Sequence, residues 1–299
     1  IKIALVGQPN VGKSMLINSI SNARLKVGNF SGVTVSKEQV FFDYKNFHIE
    51  IVDLPGAYSL NDYTIEEKVT KDFLNNEKYD IILNVLDSTN LQRNLLLTAE
   101  LLTLDKKMII ALNMSDEAEK ESILIDEIQL SKILGKPCIK TSAAKKNGIT
   151  KLLDEILLKF QSQKVPSKFF FSNVIEEEIE NISRVLEENK YETTETYRQI
   201  SLGLLKENKN IYKQFHDEPI WIKIQPILTE AFEHLFIHFN SKNIKDIFNE
   251  ERFAFAKGAV IETVKQKNTN TTTLTERFDA ILIHKFFGLP IFLFFMWGL

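Results

Sequence analysis

Cysteine is nearly absent. Cys138 is the only one in 299 residues, which excludes an intrachain disulfide framework or a cysteine-built zinc site and fits a reducing compartment. Excess positive charge is missing too. Lys and Arg total 37 against 40 Asp and Glu, a formal charge of −3 with pI near 6.1, so no global basic field is available to hold nucleic acid. No nucleic-acid partner is expected. With 11 glycines and 7 prolines the chain is not collagen-like or low-complexity, and 44% hydrophobic with 26% charged residues excludes wholesale disorder. No internal repeat and no Ser-His-Asp arrangement is readable. Ile1 opens directly into an apolar run, without the charged n-region and cleavage site of a secretory leader. A fragment of a longer protein is the expectation.

Long apolar runs are missing until the last residues. Phe286–Leu299 carries no charge, and as a helix would rise about 21 Å against a hydrocarbon core of about 30 Å. With no polar face, the run reads as the start of a transmembrane helix, Lys285 lying on the cytosolic side. A buried C-terminal helix is the other reading.

Along the rest of the chain, residues 1–160 alternate apolar runs with amphipathic stretches. Strands are expected at 2–6, 38–44, 48–53, 81–87, 108–113 and 137–141, and helices at 13–21, 64–75, 91–104, 126–134 and 149–160. The turn Lys45-Asn46 makes a hairpin of the second and third strands. This pattern predicts an α/β fold, a parallel sheet with helices on both faces plus one antiparallel edge strand. Residues 161–168 read as a linker. Beyond them no strand is evident. Ile175, Ile179, Ile182 and Leu186 fall on one helix face, and 169–265 reads as a small all-α bundle. Residues 266–280 read as a polar linker and 281–299 as the hydrophobic stub.

Five stretches carry chemistry. Gly7-Gln8-Pro9-Asn10-Val11-Gly12-Lys13-Ser14 matches G-x-x-x-x-G-K-[ST] between a strand and a helix. Its glycines let successive N–H groups turn inward around phosphate, the helix terminus adds positive potential, Lys13 reaches the β- and γ-phosphates, and Ser14 ligates Mg²⁺. Asp53-Leu54-Pro55-Gly56 follows a strand; Asp53 can hold Mg²⁺ through water and Gly56 can offer its N–H to the γ-phosphate. Gly32-Val33-Thr34 lies in a polar loop, where Thr34 could complete the Mg²⁺ shell. Asn113-Met114-Ser115-Asp116 ends another strand, and its carboxylate can accept both guanine N1–H and N2–H, a donor pair that adenine lacks. Thr141-Ser142-Ala143-Ala144-Lys145 places small residues where a base edge could meet backbone N–H groups.

In this order the stretches resemble the G1–G5 boxes of a Ras-type P-loop GTPase, and that resemblance covers about residues 1–160. It implies that Asn113 and Asp116 read guanine, that Ala143 gives its N–H to the base, and that the cofactors are GTP/GDP and Mg²⁺. Met114 stands where such a box usually carries Lys, keeping a flexible apolar wall but losing the cation; weaker binding and quick exchange are expected. More narrowly, Gly7–Ser14, Val27–Val35 (Val-Gly-Asn-Phe-Ser-Gly-Val-Thr-Val), Asp53–Leu60 (Asp-Leu-Pro-Gly-Ala-Tyr-Ser-Leu), Asn113–Asp116 and Leu274–Phe292 resemble the cytosolic part of the bacterial ferrous iron transport protein B family. That resemblance implies a helical domain that stabilises the GDP state and an Fe²⁺-carrying membrane domain beyond this chain. It also implies small accessory transport proteins, a possible homo-oligomer, and a place on the cytoplasmic face of the bacterial inner membrane.

Ala57 occupies the position where many GTPases orient the attacking water with Gln, so unaided hydrolysis is expected to be slow. By the same resemblance, K⁺ supplies the missing help. Asn10 would be its side-chain ligand, and the loop Gly28–Gly32 would complete the shell with carbonyls. Asn10 as a simple loop cap is the alternative. The expected catalytic set is therefore Asn10, Lys13, Thr34 and Gly56. Glu230, His234 and His238 share a helix face with metal-ligand spacing, but a solvated face is the preferred reading. Two other functions compete: a soluble GTPase factor for RNA or ribosome assembly, and a GTP-binding switch with negligible turnover.

Overall fold

The computed structural model describes residues 1–20, 24–30, 35–60, 63–163, 169–193 and 195–266. The expected Gly32, Val33 and Thr34 site, part of the 161–168 linker and the apolar run 286–299 lie outside the described residues.

The first strand, β1 (Lys2–Gly7), is the centre of a seven-stranded sheet and is buried from Ile3 to Gly7. Helix α1 (Lys13–Ser19) follows it. Next come β2 (Arg24–Asn29), β3 (Ser36–Tyr44) and β4 (Phe47–Asp53), then α2 (Ile65–Asn76), β5 (Ile81–Asp87), α3 (Leu91–Leu102) and β6 (Met108–Asn113). A short helix α4 (Ser115–Lys120), strand β7 (Ile123–Ile125), helix α5 (Glu127–Leu134), strand β8 (Cys138–Lys140) and helix α6 (Ile149–Gln161) complete the α/β part. The sheet order is β2-β3-β4-β1-β5-β6-β8. β4, β1, β5, β6 and β8 run parallel, and β3 is antiparallel to β4. The one antiparallel strand expected from the sequence is thus β3. It is not the outermost strand, because β2 pairs along it from Arg24 to Asn29. Lys45 and Asn46 both take positive φ, 44° and 65°, the geometry of a two-residue hairpin turn that matches strand twist.

Each face of the sheet has its own core. Ile3, Leu5, Ile51, Leu83 and Ile109 meet α1 and α6 through Leu16, Leu152 and Ile156. On the other face Ala4, Val6, Ile82 and Ile110 meet α2 and α3 through Phe73, Leu95 and Leu102. That second core continues without a break into the C-terminal helices, which are α7 (Asn173–Glu188), α8 (Tyr197–Leu205), α9 (Lys209–His216), α10 (Trp221–His238) and α11 (Ile244–Thr263). Ile175, Ile179, Ile182 and Leu186 are all buried, as their spacing predicts. His234, discounted as a metal ligand, has its Nδ1 2.5 Å from buried Glu178 Oε1.

Three strands appear where none was expected: β2, β7 and β9 (Val264–Gln266). β9 continues α11 and pairs antiparallel with β7 as a separate two-stranded ribbon. In β9, three residues give too short a run for alternation to register, and the partner residues lie 139 to 143 positions upstream. Among the described residues no helix is long and apolar enough to cross a membrane.

Candidate functional site

The sheet's strand ends gather the loops. β1 leads into the loop Gln8–Gly12, and α1 begins at Lys13 with Gly12 as its N-cap at φ 86°, a conformation favouring glycine. Space imposes the same choice, since a Cβ on Gly12 would sit 2.5 Å from Asn113 Nδ2 and one on Gly7 would sit 2.6 Å from Val85 O. Asn10 also has positive φ, 68°, and is exposed. Gln8 is buried, and its Nε2 donates to Arg93 O at 2.7 Å, pinning the loop to α3. Pro9, Val11 and exposed Ser14 complete the turn.

The segment after β4 lies against this loop. Leu54 N donates to Leu5 O at 3.0 Å and Ala57 N to Gly7 O at 3.3 Å. A Cβ on Gly56 would come within 3.0 Å of Pro9, so glycine lets the two loops touch. Asp53 leaves the strand beside Lys13. Its Oδ1 is buried and has no hydrogen-bond partner among the described residues. Burial, only partly offset by Lys13, raises its carboxyl to about 6, and burial likewise lowers the Lys13 ammonium. A buried carboxylate oxygen without a donor is costly. With a hydroxyl at Ser14, this is the hard oxygen donor set that Mg²⁺ takes alongside phosphate, so the residues present fit that ion. For K⁺ the fit is narrower. Asn10 offers an amide oxygen, but Gly28, expected in a carbonyl-lined loop, is in β2 paired with Lys37. The alternation Arg24-Leu25-Lys26-Val27 places only two apolar residues before Gly28-Asn29, too short a run to announce a strand.

The base-facing loops are tied together by Asn113. It is 1% exposed; Nδ2 donates to Val11 O at 2.9 Å, and Oδ1 accepts from Ala143 N at 3.1 Å. The N–H of Ala143, expected to meet a base, therefore goes to Asn113, because the loop turns tightly there. Ser142 and Asn147 pair through both backbone N–H groups at 3.1 and 3.0 Å, closing the loop that carries Ala143, Ala144, Lys145 and Lys146. Met114 caps α4 in left-handed geometry (φ 56°), its methyl facing Gly12. Asp116 follows in the first turn. Hydrogen bonding from Ser142, then from Lys145, holds its carboxyl below the usual range.

Three functional contacts escaped the sequence reading. Glu67 is buried, and it accepts from Ser59 N, Ser59 Oγ and Tyr63 N at 3.0, 3.1 and 3.2 Å. The Thr64-x-x-Glu67 spacing, a capping-box pattern, was its available signal. Tyr58 lies under the Arg93 guanidinium, 4.8 Å from ring centroid to Cζ. Glu100 on α3 accepts from Leu60 N at 2.5 Å and pairs with Arg252 on α11. No sequence pattern links residues that far apart.

A largely parallel sheet whose first strand runs through a phosphate-cradling loop into a helix, with a D-x-x-G segment packed on that loop and an N-x-x-D pair at the end of β6, defines a Ras-like P-loop G domain, here followed by a helical bundle. Residues 1–156 match the family model for ferrous iron transport protein B, and residues 171–265 match that for the FeoB cytosolic helical domain. The chain belongs to the ferrous iron transport protein B family. It is 41% identical to the Fe(2+) transporter FeoB of Campylobacter jejuni over 297 residues, 99% of this chain and 37% of that protein. It is 33% identical to an Fe(2+) transport protein A/Fe(2+) transporter FeoB fusion protein of Porphyromonas gingivalis, over 99% of this chain and 36% of that protein. The chain thus spans little more than a third of the length of these curated relatives. Among solved structures, a mutant of the S. thermophilus NFeoB bound to GDP superposes with a TM-score of 0.78 at 30% identity, covering 88% of this chain and 99% of that one. The cytosolic domain of the T. maritima FeoB in its GMPPNP form gives 0.74 at 28% identity, covering 89% and 99%.

Proposed function

We propose that this chain binds GTP and GDP, hydrolyses GTP slowly with Mg²⁺ and faster with K⁺, and couples its nucleotide state to a membrane Fe(II) transporter. The observation that carries this is the convergence of four loops: Gly7–Ser14, Asp53–Gly56, Asn113–Asp116 and Thr141–Ala144. In this reading 1–160 is the G domain and 169–265 the helical domain, joined through 161–168. Residues 266–280 are a polar connection, and 281–299 begin a transmembrane helix at the cytoplasmic face of the bacterial inner membrane.

The backbone N–H groups of Gln8–Ser14 and the Lys13 ammonium bind the phosphates. Ser14, Asp53 and Thr34 would hold Mg²⁺, which would supply positive charge against the nucleotide phosphates. Gly56 offers its N–H to the γ-phosphate. Ala57 is 1% exposed and carries only a methyl, so it cannot orient the attacking water, and Tyr58 is engaged by Arg93. Neither removes the need for a further cation. Asn10 would hold K⁺ through its amide oxygen, adding charge where an arginine finger otherwise acts. Asp116 accepts guanine N1–H and N2–H. One Nδ2 hydrogen of Asn113 is used by Val11 O, and its second remains for a purine nitrogen. The Fe(2+) transporter relatives motivate the link to iron, and the fusion protein motivates a small accessory partner. Homo-oligomerisation belongs to the same proposal.

GTP turnover in KCl and NaCl at equal ionic strength, with Asn10→Ala beside it, tests the enzymatic reading. K⁺ should stimulate the parent on the order of tenfold or more and leave Asn10→Ala unchanged. Equal rates in both salts would remove the K⁺ role. No turnover with GTP still bound would leave the switch reading in its place.

A further inference from the structure

The base-reading carboxylate already has a cationic partner within its own loop system. Lys145 Nζ lies 3.2 Å from Asp116 Oδ2, with the Lys145 side chain 57% and the Asp116 side chain 14% exposed. The placement follows from local structure. The Ser142–Asn147 pair closes the loop, Lys145 N donates to Ser142 Oγ at 3.3 Å, and Lys146 takes φ 53°. Ser115 N donates to Thr141 O at 3.1 Å, so the start of α4 and this loop are held as one unit. Asp116 therefore faces two groups, the Ser142 hydroxyl and the Lys145 ammonium.

We infer that Lys145 competes with the guanine base for Asp116 and so sets the affinity and entry rate of guanine nucleotides. The inference rests on the proposed base-reading role of Asp116. A carboxylate that accepts two N–H groups from guanine must turn its oxygens toward the base edge. The ammonium takes up acceptor capacity on Oδ2 that the base edge needs, and so competes with it. A compact, strongly hydrated ammonium on a flexible stem is well suited to this, since it can leave for water without stranding a buried charge. A lysine that acted only by drawing in polyphosphate would have the opposite effect when removed. The two roles are separated by sign.

The test is fluorescent GDP binding by the 299-residue chain and by Lys145→Ala and Lys145→Arg, at low and high ionic strength in a salt without K⁺. Exposed pairs of this kind are weak, so Lys145→Ala should bind GDP about two- to fivefold tighter at low salt, mainly through faster association. Lys145→Arg should stay near the parent. The advantage of Lys145→Ala should shrink toward unity at high salt, as screening weakens the pair in the parent. ADP binding should not change, because adenine makes no demand on Asp116. In an Asp116→Asn background, which replaces the carboxylate by a donor suited to the xanthine carbonyl, Lys145→Ala should leave xanthosine diphosphate binding unaltered. Weaker or equal GDP binding by Lys145→Ala would overturn the inference while leaving the guanine site intact. A parent chain that did not prefer GDP to ADP would instead overturn the base-reading role of Asp116.

Discussion

Asp53→Asn will unfold at a higher temperature than the parent in EDTA at pH 7.5, and will hydrolyse GTP slower by on the order of 100-fold or more. The two effects share one cause. Asp53 is raised from 3.8 to about 6 because burial disfavours its charge more than Lys13 favours it. A folded-state value above the unfolded one contributes stability that is fully present below about pH 4. That contribution is lost as pH rises through about 6. At pH 7.5 the ionised carboxylate therefore costs the fold about 3 kcal/mol, and an amide of the same shape removes that charge. The same amide is a poor Mg²⁺ ligand, so catalysis falls while stability rises. The advantage of the variant should vanish near pH 4. A parent and variant with equal midpoints at pH 7.5 would remove the cost assigned to Asp53, and undiminished turnover would remove it from the metal set.

Arg252→Ala should be among the most damaging single changes outside the nucleotide site. Its guanidinium and the Glu100 carboxylate are 12% and 7% exposed and face each other across the α3–α11 contact. Removing one member of such a pair leaves the other charge buried and unpaired, typically worth about 3–5 kcal/mol, or a midpoint drop of about 5–8 °C for a chain of this size. Glu100→Ala should cost at least as much, since it also takes the acceptor from Leu60 N. Arg252→Met with Glu100→Met should recover a large part of either loss, because no charge is left stranded. Thermal midpoints of Arg252→Met, Glu100→Met and their double decide it. Strictly additive losses would mean the two side chains do not act on one another. The singles should also release GDP faster. Leu60 lies at the end of the segment that begins at Asp53, and Glu100 is the residue that joins that segment to the helical part.

The central strands and the glycine-bounded loops were legible because each carries its own local reason. β1, β5 and β6 are near-continuous apolar runs, broken in β5 only by Asn84, the mark of strands buried on both faces. The P-loop residues follow from what phosphate requires of a backbone. β2 was not legible, since its alternation is confined to Arg24-Leu25-Lys26-Val27 and Lys26, Val27, Gly28 and Asn29 are all exposed. The helical part was read from Ile175, Ile179, Ile182 and Leu186, yet α9 was missed because its one fully buried residue is Phe215. Within the site, chemistry marked Asp53, Asn113 and Asp116 individually. What the sequence could not supply was which of them touch. Asn113 joins Val11 to Ala143, Gly56 packs on Pro9, and Glu100 meets both Leu60 and Arg252. These are products of strand order, set by the whole fold rather than by any window of it.

The ribbon of β7 and β9 gives the molecule a mechanical anchor. The chain leaves α11 through Val264, Lys265 and Gln266, each paired with a residue of β7, and Asp126 N adds a bond to Thr263 O at 2.8 Å. Tension directed along β9 would run parallel to these strands. It loads their hydrogen bonds together in shear rather than opening them one after another. The strand that resists it begins three residues after α4, whose first turn bears Asp116. Load carried by β9 would therefore be delivered beside the proposed base-binding end of the site, rather than to its phosphate end.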